Sequence, residues 1–394
     1  VESFSQDPTE AEFVNNPYPF YHRTRAQGPL FFWREYGLPC ATGHALVNSL
    51  LRDRRLGREI PPERRAPVPD HLRPFMDFES RSMLELEAPT HTRLRGLVIR
   101  AFTSRRINAL APDIAALTHQ LIDAFPAGPF DLLTAFAEKI PVIIIARLLG
   151  VPEDMSDQLL KWSHDMVAMY QANRNRDTET RAVAATVAFS EFMAGYIEQR
   201  RKAPRDDLLS ALIRAEEEGE KLSRDELITT AILLLNAGHE ATVHAIGNGV
   251  KSLLELDRPA APLLSAENVA ATTEELLRLD PPLHMFTRHV YEDIEIDGHK
   301  FARGDEIALL LGAANRDPAA YDDPDRFNPR RDGPANLAFG AGAHFCIGAP
   351  LARLEMTIAL PILFARLPGL KLAAQPEYAD RYHFHGLTRL MVSA

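Results

Sequence analysis

Cysteine is nearly missing from this chain: 394 residues carry two, Cys40 and Cys346, far apart in sequence. Two distant thiols cannot frame a disulfide-stapled fold, so a packed core must supply the stability and a reducing, cytoplasmic setting is expected. The opening segment, Val-Glu-Ser-Phe-Ser-Gln-Asp-Pro, has neither a basic region nor an apolar run, so no secretory leader is expected. Long hydrophobic runs are missing as well. The richest, Ile140–Leu149 and Ala231–Leu235, are too short to cross a bilayer, which argues against membrane insertion. Positive charge is in deficit, with 44 Lys and Arg against 54 Asp and Glu for a net of −10, which argues against a nucleic-acid partner. Internal repeats and low-complexity tracts are absent too.

What is present is an ordinary globular composition, 46% apolar and 25% charged, on a chain long enough for a large core. Apolar residues at three- and four-residue spacing predict helices over Ile107–Phe125, Asp131–Leu149, Asp154–Tyr170, Thr180–Arg201 and Arg205–Glu217. Strand text is scarcer. Leu30–Tyr36 is rich in aromatics and leads on to Leu38–His44, Asp293–Phe301 alternates around an Asp-Gly turn, and the tail from Leu370 has room for another short sheet. The proline-rich stretch Ile60–Pro69, continuing to Pro74, reads either as a surface linker or as a long loop over a site.

The most informative residue is Cys346, in Phe339-Gly-Ala-Gly-Ala-His-Phe-Cys346-Ile-Gly348, directly ahead of a predicted helix start at Ala349. A thiol at a helix mouth is biased toward thiolate by unpaired N–H groups and the macrodipole, and glycines let nearby amides turn toward the sulfur. On that chemistry a nucleophile and a metal ligand are both open. A long helix is predicted over Arg224–Leu256, with Ser223 and Glu226 as a capping box. Its middle, Leu233-Leu-Leu-Asn-Ala-Gly238-His-Glu240-Ala-Thr242, interrupts an apolar helix with a glycine, an acid and a hydroxyl. Either Gly238 is a packing glycine beside a solvated Glu240, or the turn opens locally to hold a ligand while Glu240 and Thr242 handle protons. Glu275 and Arg278 are spaced to pair on one helix face, and a third charge would turn a surface pair into a buried network. From His91 through Arg93, Arg95, Arg100, Arg105 and Arg106 there is no acid, a basic island in an acidic chain. It reads as a solvated face, or as His91 and Arg95 binding an anion while the other arginines attract an acidic partner.

Taken together, these segments resemble the cytochrome P450 family over nearly the whole chain and in the right order. The cysteine loop matches Phe-Gly-x-Gly-x-His-x-Cys-x-Gly, with Arg353 and Glu355 in the helix behind it. Glu275 and Arg278 match Glu-x-x-Arg, Arg326 matches the arginine that completes that network, and Ala237-Gly238-His-Glu240 matches the oxygen-activation groove. His91-Thr-Arg-Leu-Arg95, Asn16-Pro-Tyr-Pro-Phe20 and Asn315-Arg-Asp-Pro318 also match, the last two pointing to the soluble bacterial branch.

The resemblance implies a mainly α fold with a small β lobe, a single domain over residues 1–394, with β-rich regions near residues 28–47, 290–312 and the C-terminus. It implies haem b (iron protoporphyrin IX) with Cys346 as the iron ligand. His91, Arg95, Arg288 and His344 would hold the propionates, with Phe339 and Gly348 in the ligand loop. The implied reaction is a hydroxylation, insertion of one atom of O₂ into a C–H bond, with thiolate donation favouring O–O cleavage. One departure stands out: the family places threonine directly after the acid, whereas Glu240 is followed by Ala241 and then Thr242. Proton delivery is then expected through Glu240 with water, a substrate hydroxyl or a shifted Thr242.

Family-equivalent positions imply a pocket from Phe75, Phe78, Leu234, Ala237, Leu283, Met285, Phe286 and Phe384, suited to an apolar small molecule. His284 and His385 are candidates to read a polar group on it. The chain has no reductase segment, so electrons from NAD(P)H are expected through an acidic ferredoxin and its reductase, docking on the basic helix and Arg353 of a monomer. Other expectations are a haem-thiolate peroxygenase or isomerase, a non-catalytic haem-binding protein, and a cysteine-nucleophile enzyme without haem.

Overall fold

Helical periodicity becomes helix almost wherever it occurs in the computed structural model, which describes residues 1–171, 174–217 and 222–394. The chain forms two compact units: Val1–Arg64 with Ala115–Glu138 and Ala241–Ala394, and Arg65–Ile114 with Lys139–Glu240. Among the described residues no helix is long and apolar enough to cross a membrane.

The first unit contains the sheets. Six strands lie in the order Glu2–Phe4, Leu30–Trp33, Leu38–Ala41, Glu306–Leu310, Met285–Val290 and Leu56–Gly57. The first and third junctions are parallel and the rest antiparallel. Aromatic strand text is used as the physics of a pleated face requires. Phe31 and Trp33 meet Phe13, Phe20 and Tyr21 in one buried cluster of mostly edge-on or tilted rings. Cys40 pairs in register with Phe31 and Ala308 in this sheet. Its thiol is buried and pushed well above the ordinary value by burial, which makes it a core residue without chemistry. The predicted hairpin forms from Ile294–Ile296 and His299–Phe301, with Asp297 and Gly298 both at positive φ (49° and 76°), as a primed two-residue turn needs. In the tail, Met391–Ser393 pairs with Lys371–Leu372 and with Phe130–Asp131, and Glu377–Tyr378 pairs with Leu387–Arg389.

Two predicted helices are broken where local chemistry overrides periodicity. The stretch expected as one helix from Asp131 begins as a strand, passes through a π turn at Leu133–Ala137, and becomes α-helical at Lys139. Asp131 causes this: its carboxylate accepts from the N–H groups of Leu133 at 3.0 Å and Leu390 at 2.9 Å, tying it to the C-terminal strand. The helix expected over Ile107–Phe125 is split into Ser104–Asn108 and Ala111–Asp123. Pro112 has no N–H to continue the first ladder, but it is well placed in the first turn of the second.

The second unit is helical. In Arg176–Lys202 the residues Ala182, Ala185, Phe189, Met193 and Ile197 recur every third or fourth position and are buried. Trp162 of Ser156–Val167 packs on Phe189 and Phe192 at 5.0 and 5.7 Å. The proline-rich stretch contains two short 3₁₀ turns, is largely exposed from Glu63 to Asp70, and leads into the helix Arg73–Glu79. The long helix runs from Arg224 to Leu254, 31 residues or roughly 45 Å. Its capping box is formed: Glu226 N–H donates to Ser223 Oγ at 3.2 Å, and Ser223 N–H donates to Glu226 Oε2 at 2.9 Å.

Candidate thiolate site and proton groove

Cys346 is exposed, at the end of a turn that closes with its own N–H on the Phe339 carbonyl at 3.1 Å. The 18-residue helix Ala349–Arg366 begins three residues later, with Pro350 in its first turn. Gly342 sits at φ +72°, and a Cβ there would lie 2.3 Å from the Leu51 carbonyl oxygen, so the loop has no room for any other residue. Gly348 would place a Cβ 3.7 Å from the cysteine Sγ. The Arg353 guanidinium lies over the Phe339 ring at 4.6 Å and bonds Glu274 through both Nε and Nη2. The charge expected to face a docking partner is therefore already offset by an acid.

Glu275 and Arg278 form the buried network, 4% and 2% exposed. Arg278 Nε and Nη2 donate to Glu275 Oε2 and Oε1 at 2.7 and 2.8 Å, and Nη1 donates to the carbonyls of Asn315 and Pro324. The third charge is not the expected one. Arg326 is exposed and contributes only its carbonyl, which accepts from Arg278 at 3.4 Å and from Arg331 at 2.7 Å. The guanidinium on Glu275 Oε1 is that of Arg331, at 3.4 Å. The turn around Asp323, at φ 43°, presents carbonyls inward, and Arg331 Nη1 and Nη2 bond those of Asp322 and Asp323. Sequence reasoning missed Arg331 because nothing in Arg330-Arg331 says which of two adjacent arginines turns in.

Arg288 is buried on the strand Met285–Val290, and its Nη1 donates to the Thr287 carbonyl at 2.7 Å. Strand alternation puts Phe286 on the same face, 5.8 Å from the guanidinium. It puts Met285 on the other face, inside the cluster with Tyr21 and Trp33. Met285, expected in an open pocket, is thus a core residue. Leu283 bridges to Phe384, and both are partly buried. His344 lies in the 3₁₀ turn of the thiol loop. His284 and His385, expected to read a substrate, are turned inward, onto Tyr21 and beside Asp280 respectively.

In the helical unit, His91 and Arg95 lie one turn apart on Thr90–Ala101, the histidine buried and the arginine partly so. The basic island is less basic than its text. Arg93 bonds Glu226 at 2.5 Å and Arg106 bonds Asp206 at 2.9 Å, while Arg100 and Arg105 are exposed. Phe75 and Phe78 are buried within Arg73–Glu79, and Leu234 is buried on the long helix.

The middle of that helix does not open; its α-helical state is unbroken from Arg224 to Leu254. Gly238 is a packing glycine: a Cβ there would stand 2.5 Å from Ile145 Cγ1. Glu240, however, is buried rather than solvated. Its Oε1 accepts from Ser163 Oγ at 3.3 Å, with His164 Nε2 at 3.4 Å and His239 Nε2 at 3.5 Å. His239 Nδ1 bonds the Leu235 carbonyl at 2.8 Å, so its Nε2 is the nitrogen left for the acid. His164 is half-exposed. Ser163 and His164 were not legible as neighbours of the acid in the sequence, since they lie on another helix, whereas His239 adjoins it in the chain. Along the long helix, Ala237 is exposed, Gly238, Ala241 and His244 are partly so, and Thr242 is buried.

A family model described as Cytochrome P450 matches residues 58–256 and 267–369. The polyketide biosynthesis cytochrome P450 PksS of Bacillus subtilis is 35% identical over 100% of this chain and 99% of its own length. The vitamin D(3) 25-hydroxylase of Pseudonocardia autotrophica is 37% identical over 97% of this chain and 94% of its own. Among solved structures, P450BioI in complex with an acyl carrier protein ligated to hexadec-9Z-enoic acid is similar with a TM-score of 0.91 and 33% identity, covering 98% of this chain and 100% of that one. CalO2 follows at a TM-score of 0.90 and 30% identity, covering 100% and 99%.

Proposed function

The chain belongs to the cytochrome P450 family of monooxygenases, and from that premise we propose that it hydroxylates an apolar small molecule with O₂. In this reading Cys346 holds haem b, and electrons arrive from NAD(P)H through a separate ferredoxin and reductase. The observation that carries the reading is the exposed thiol of Cys346 in a glycine-turned loop at the mouth of an 18-residue helix. The donor set suits the group: a thiol biased toward thiolate for iron, and the cations Arg288 and Arg95 with the imidazoles of His91 and His344 as donors for two carboxylates. When bound, the haem supplies the metal at which dioxygen is reduced, and the thiolate favours O–O cleavage.

The chain's own residues divide the remaining work. The helix start at Ala349 stabilises the Cys346 thiolate, and the side-chain-free Gly348 leaves room beside the sulfur. Glu240 holds a proton at Oε1, and half-exposed His164 connects that oxygen to solvent. Ala241 has no hydroxyl to pass it on. Thr242 is buried, about 100° around the helix from Ala241. Water or a hydroxyl of the substrate itself is left to complete the path. Leu234, Ala237, Leu283, Phe286 and Phe384, with Phe75 and Phe78 of the helix Arg73–Glu79, are the apolar side chains this reading assigns to the substrate, as the family-equivalent positions imply. We read residues 1–394 as one catalytic domain, since the family model matches segments of both compact units.

Ala241 also favours a second reading, turnover driven by peroxide, because a missing hydroxyl weakens delivery of the protons that dioxygen requires. Labelled dioxygen with a reconstituted ferredoxin system separates the two. Label in a hydroxylated product supports the monooxygenase; label entering only from peroxide replaces it with the peroxygenase. The carbonyl complex of the reduced protein tests the ligand. The red-shifted Soret band of thiolate ligation must be present in the parent and lost in Cys346→Ala.

A further inference from the structure

Three side chains with metal-binding chemistry meet in the sheet-bearing unit. Asp280 follows the helix Val269–Leu279, His284 directly precedes the strand Met285–Val290, and His385 precedes the strand Leu387–Arg389. One donor atom from each lies within 4.8 Å of the other two. The residues are 6%, 0% and 5% exposed. His385 Nε2 stands 3.2 Å from an Asp280 oxygen, and the two imidazole rings are 4.3 Å apart between centroids. The Nδ1 of His284 is engaged by the Tyr21 hydroxyl at 2.8 Å. Its Nε2 is sealed from solvent and makes no well-formed hydrogen bond among the described residues, with the Pro281 backbone as a further polar neighbour of the ring. A hydrogen-bonded core network has no use for such an atom, because a buried polar nitrogen without a well-formed hydrogen bond costs stability.

The surroundings hold the three in place as outer partners of a metal site do. Tyr18 donates to Asp280 Oδ1 at 3.0 Å and Tyr378 donates to Oδ2. The Tyr378 ring stacks on His385 at 3.9 Å with 9° between planes. Asp280 and His385 also line a surface cavity of about 400 Å³, which offers an ion a way in. Two cations flank it, and both are matched: Lys251 bonds Glu255 at 3.0 Å and Arg316 bonds Asp325 at 3.2 Å.

We propose that Asp280, His284 and His385 bind a divalent first-row transition ion of the zinc type through two imidazole nitrogens and one carboxylate oxygen. The mixed N and O donors suit zinc rather than calcium or magnesium, which take oxygen. The ion joins a helix end, a central strand and the C-terminal segment, so it acts as a staple and takes no part in oxidation.

The test uses the haem-loaded full chain, stripped with a chelator, equilibrated with zinc chloride and desalted. The expected result is about one zinc per chain besides the iron, a higher Tm with zinc, and an X-ray absorption spectrum at the zinc edge that shows two imidazoles and oxygen. His284→Gln and His385→Gln should each lose the zinc while His164→Gln keeps it. Absence of zinc from the parent, retention in both variants, loss in His164→Gln instead, or sulfur around the zinc overturns the proposal. If the two variants fail to fold, the absorption spectrum of the parent decides alone.

Discussion

At the scale of residues, adjacency in sequence and adjacency in space part company twice. Ala241 and Thr242 are neighbours, yet the helix leaves one partly accessible and buries the other. Installing the hydroxyl at the partly accessible position, Ala241→Thr, should raise the fraction of electrons that end in product rather than peroxide. Product formed per NAD(P)H consumed measures it, and an unchanged ratio means that the hydroxyl is not limiting. Arg330 and Arg331 make the same point, since only the second turns in to Glu275, where Arg326 was expected. Glu275→Ala leaves Arg278 as a buried charge without its carboxylate and should cost about 3–5 kcal/mol. Arg331→Ala should be clearly destabilising, whereas Arg326→Ala should stay within about 0.5 kcal/mol because its side chain is exposed. Chemical denaturation midpoints of the three variants rank them, and a costly Arg326→Ala would restore the arginine first expected from the sequence.

At the scale of elements, the long helix shows how local chemistry sets an end and tertiary packing sets the middle. Ser223 and Glu226 start it, as their spacing says, and Ser223→Ala should cost about 1 kcal/mol in thermal or chemical unfolding. Glu226 does double duty, since Arg93 donates to both of its oxygens. Burial alone would raise its pKa, but the Arg93 guanidinium and the Ser223 N–H hold it below the ordinary glutamate value. The unfolded chain then binds a proton that the folded chain does not, so this stabilisation is present above the ordinary glutamate pKa and is lost as pH falls through the carboxylate range. In Arg93→Met the loss of stability between neutral and acid pH should be shallower than in the parent, measured by denaturation midpoint against pH. An equal slope would mean that the pair contributes nothing. Periodicity could not have said that Gly238 is a packing glycine, because Ile145 comes to it from another helix.

At the scale of the whole molecule, a net charge of −10 would repel the acidic ferredoxin proposed as electron donor, so its docking would have to rely on a local exception. Arg100 and Arg105 of the basic island are exposed, and we propose that they attract it. The rate of reduction by an acidic ferredoxin should therefore fall steeply as salt is added and drop further in Arg100→Glu, since screening acts beyond roughly 8 Å at physiological ionic strength. A flat response to salt excludes steering by these residues. The sequence by itself determined the family, the thiol loop, the capped helix, the hairpin and the acid–arginine pair. Each of these is written in residues a few positions apart, where backbone geometry and helix or strand spacing decide the outcome. Only the tertiary structure decided that Arg331 completes the network and that Met285 belongs to the core. It also decided that Glu240 meets Ser163 and His164, and that Asp280, His284 and His385 converge. Those contacts join segments distant in the chain, and burial and packing between elements, rather than local propensity, select which side chain turns inward.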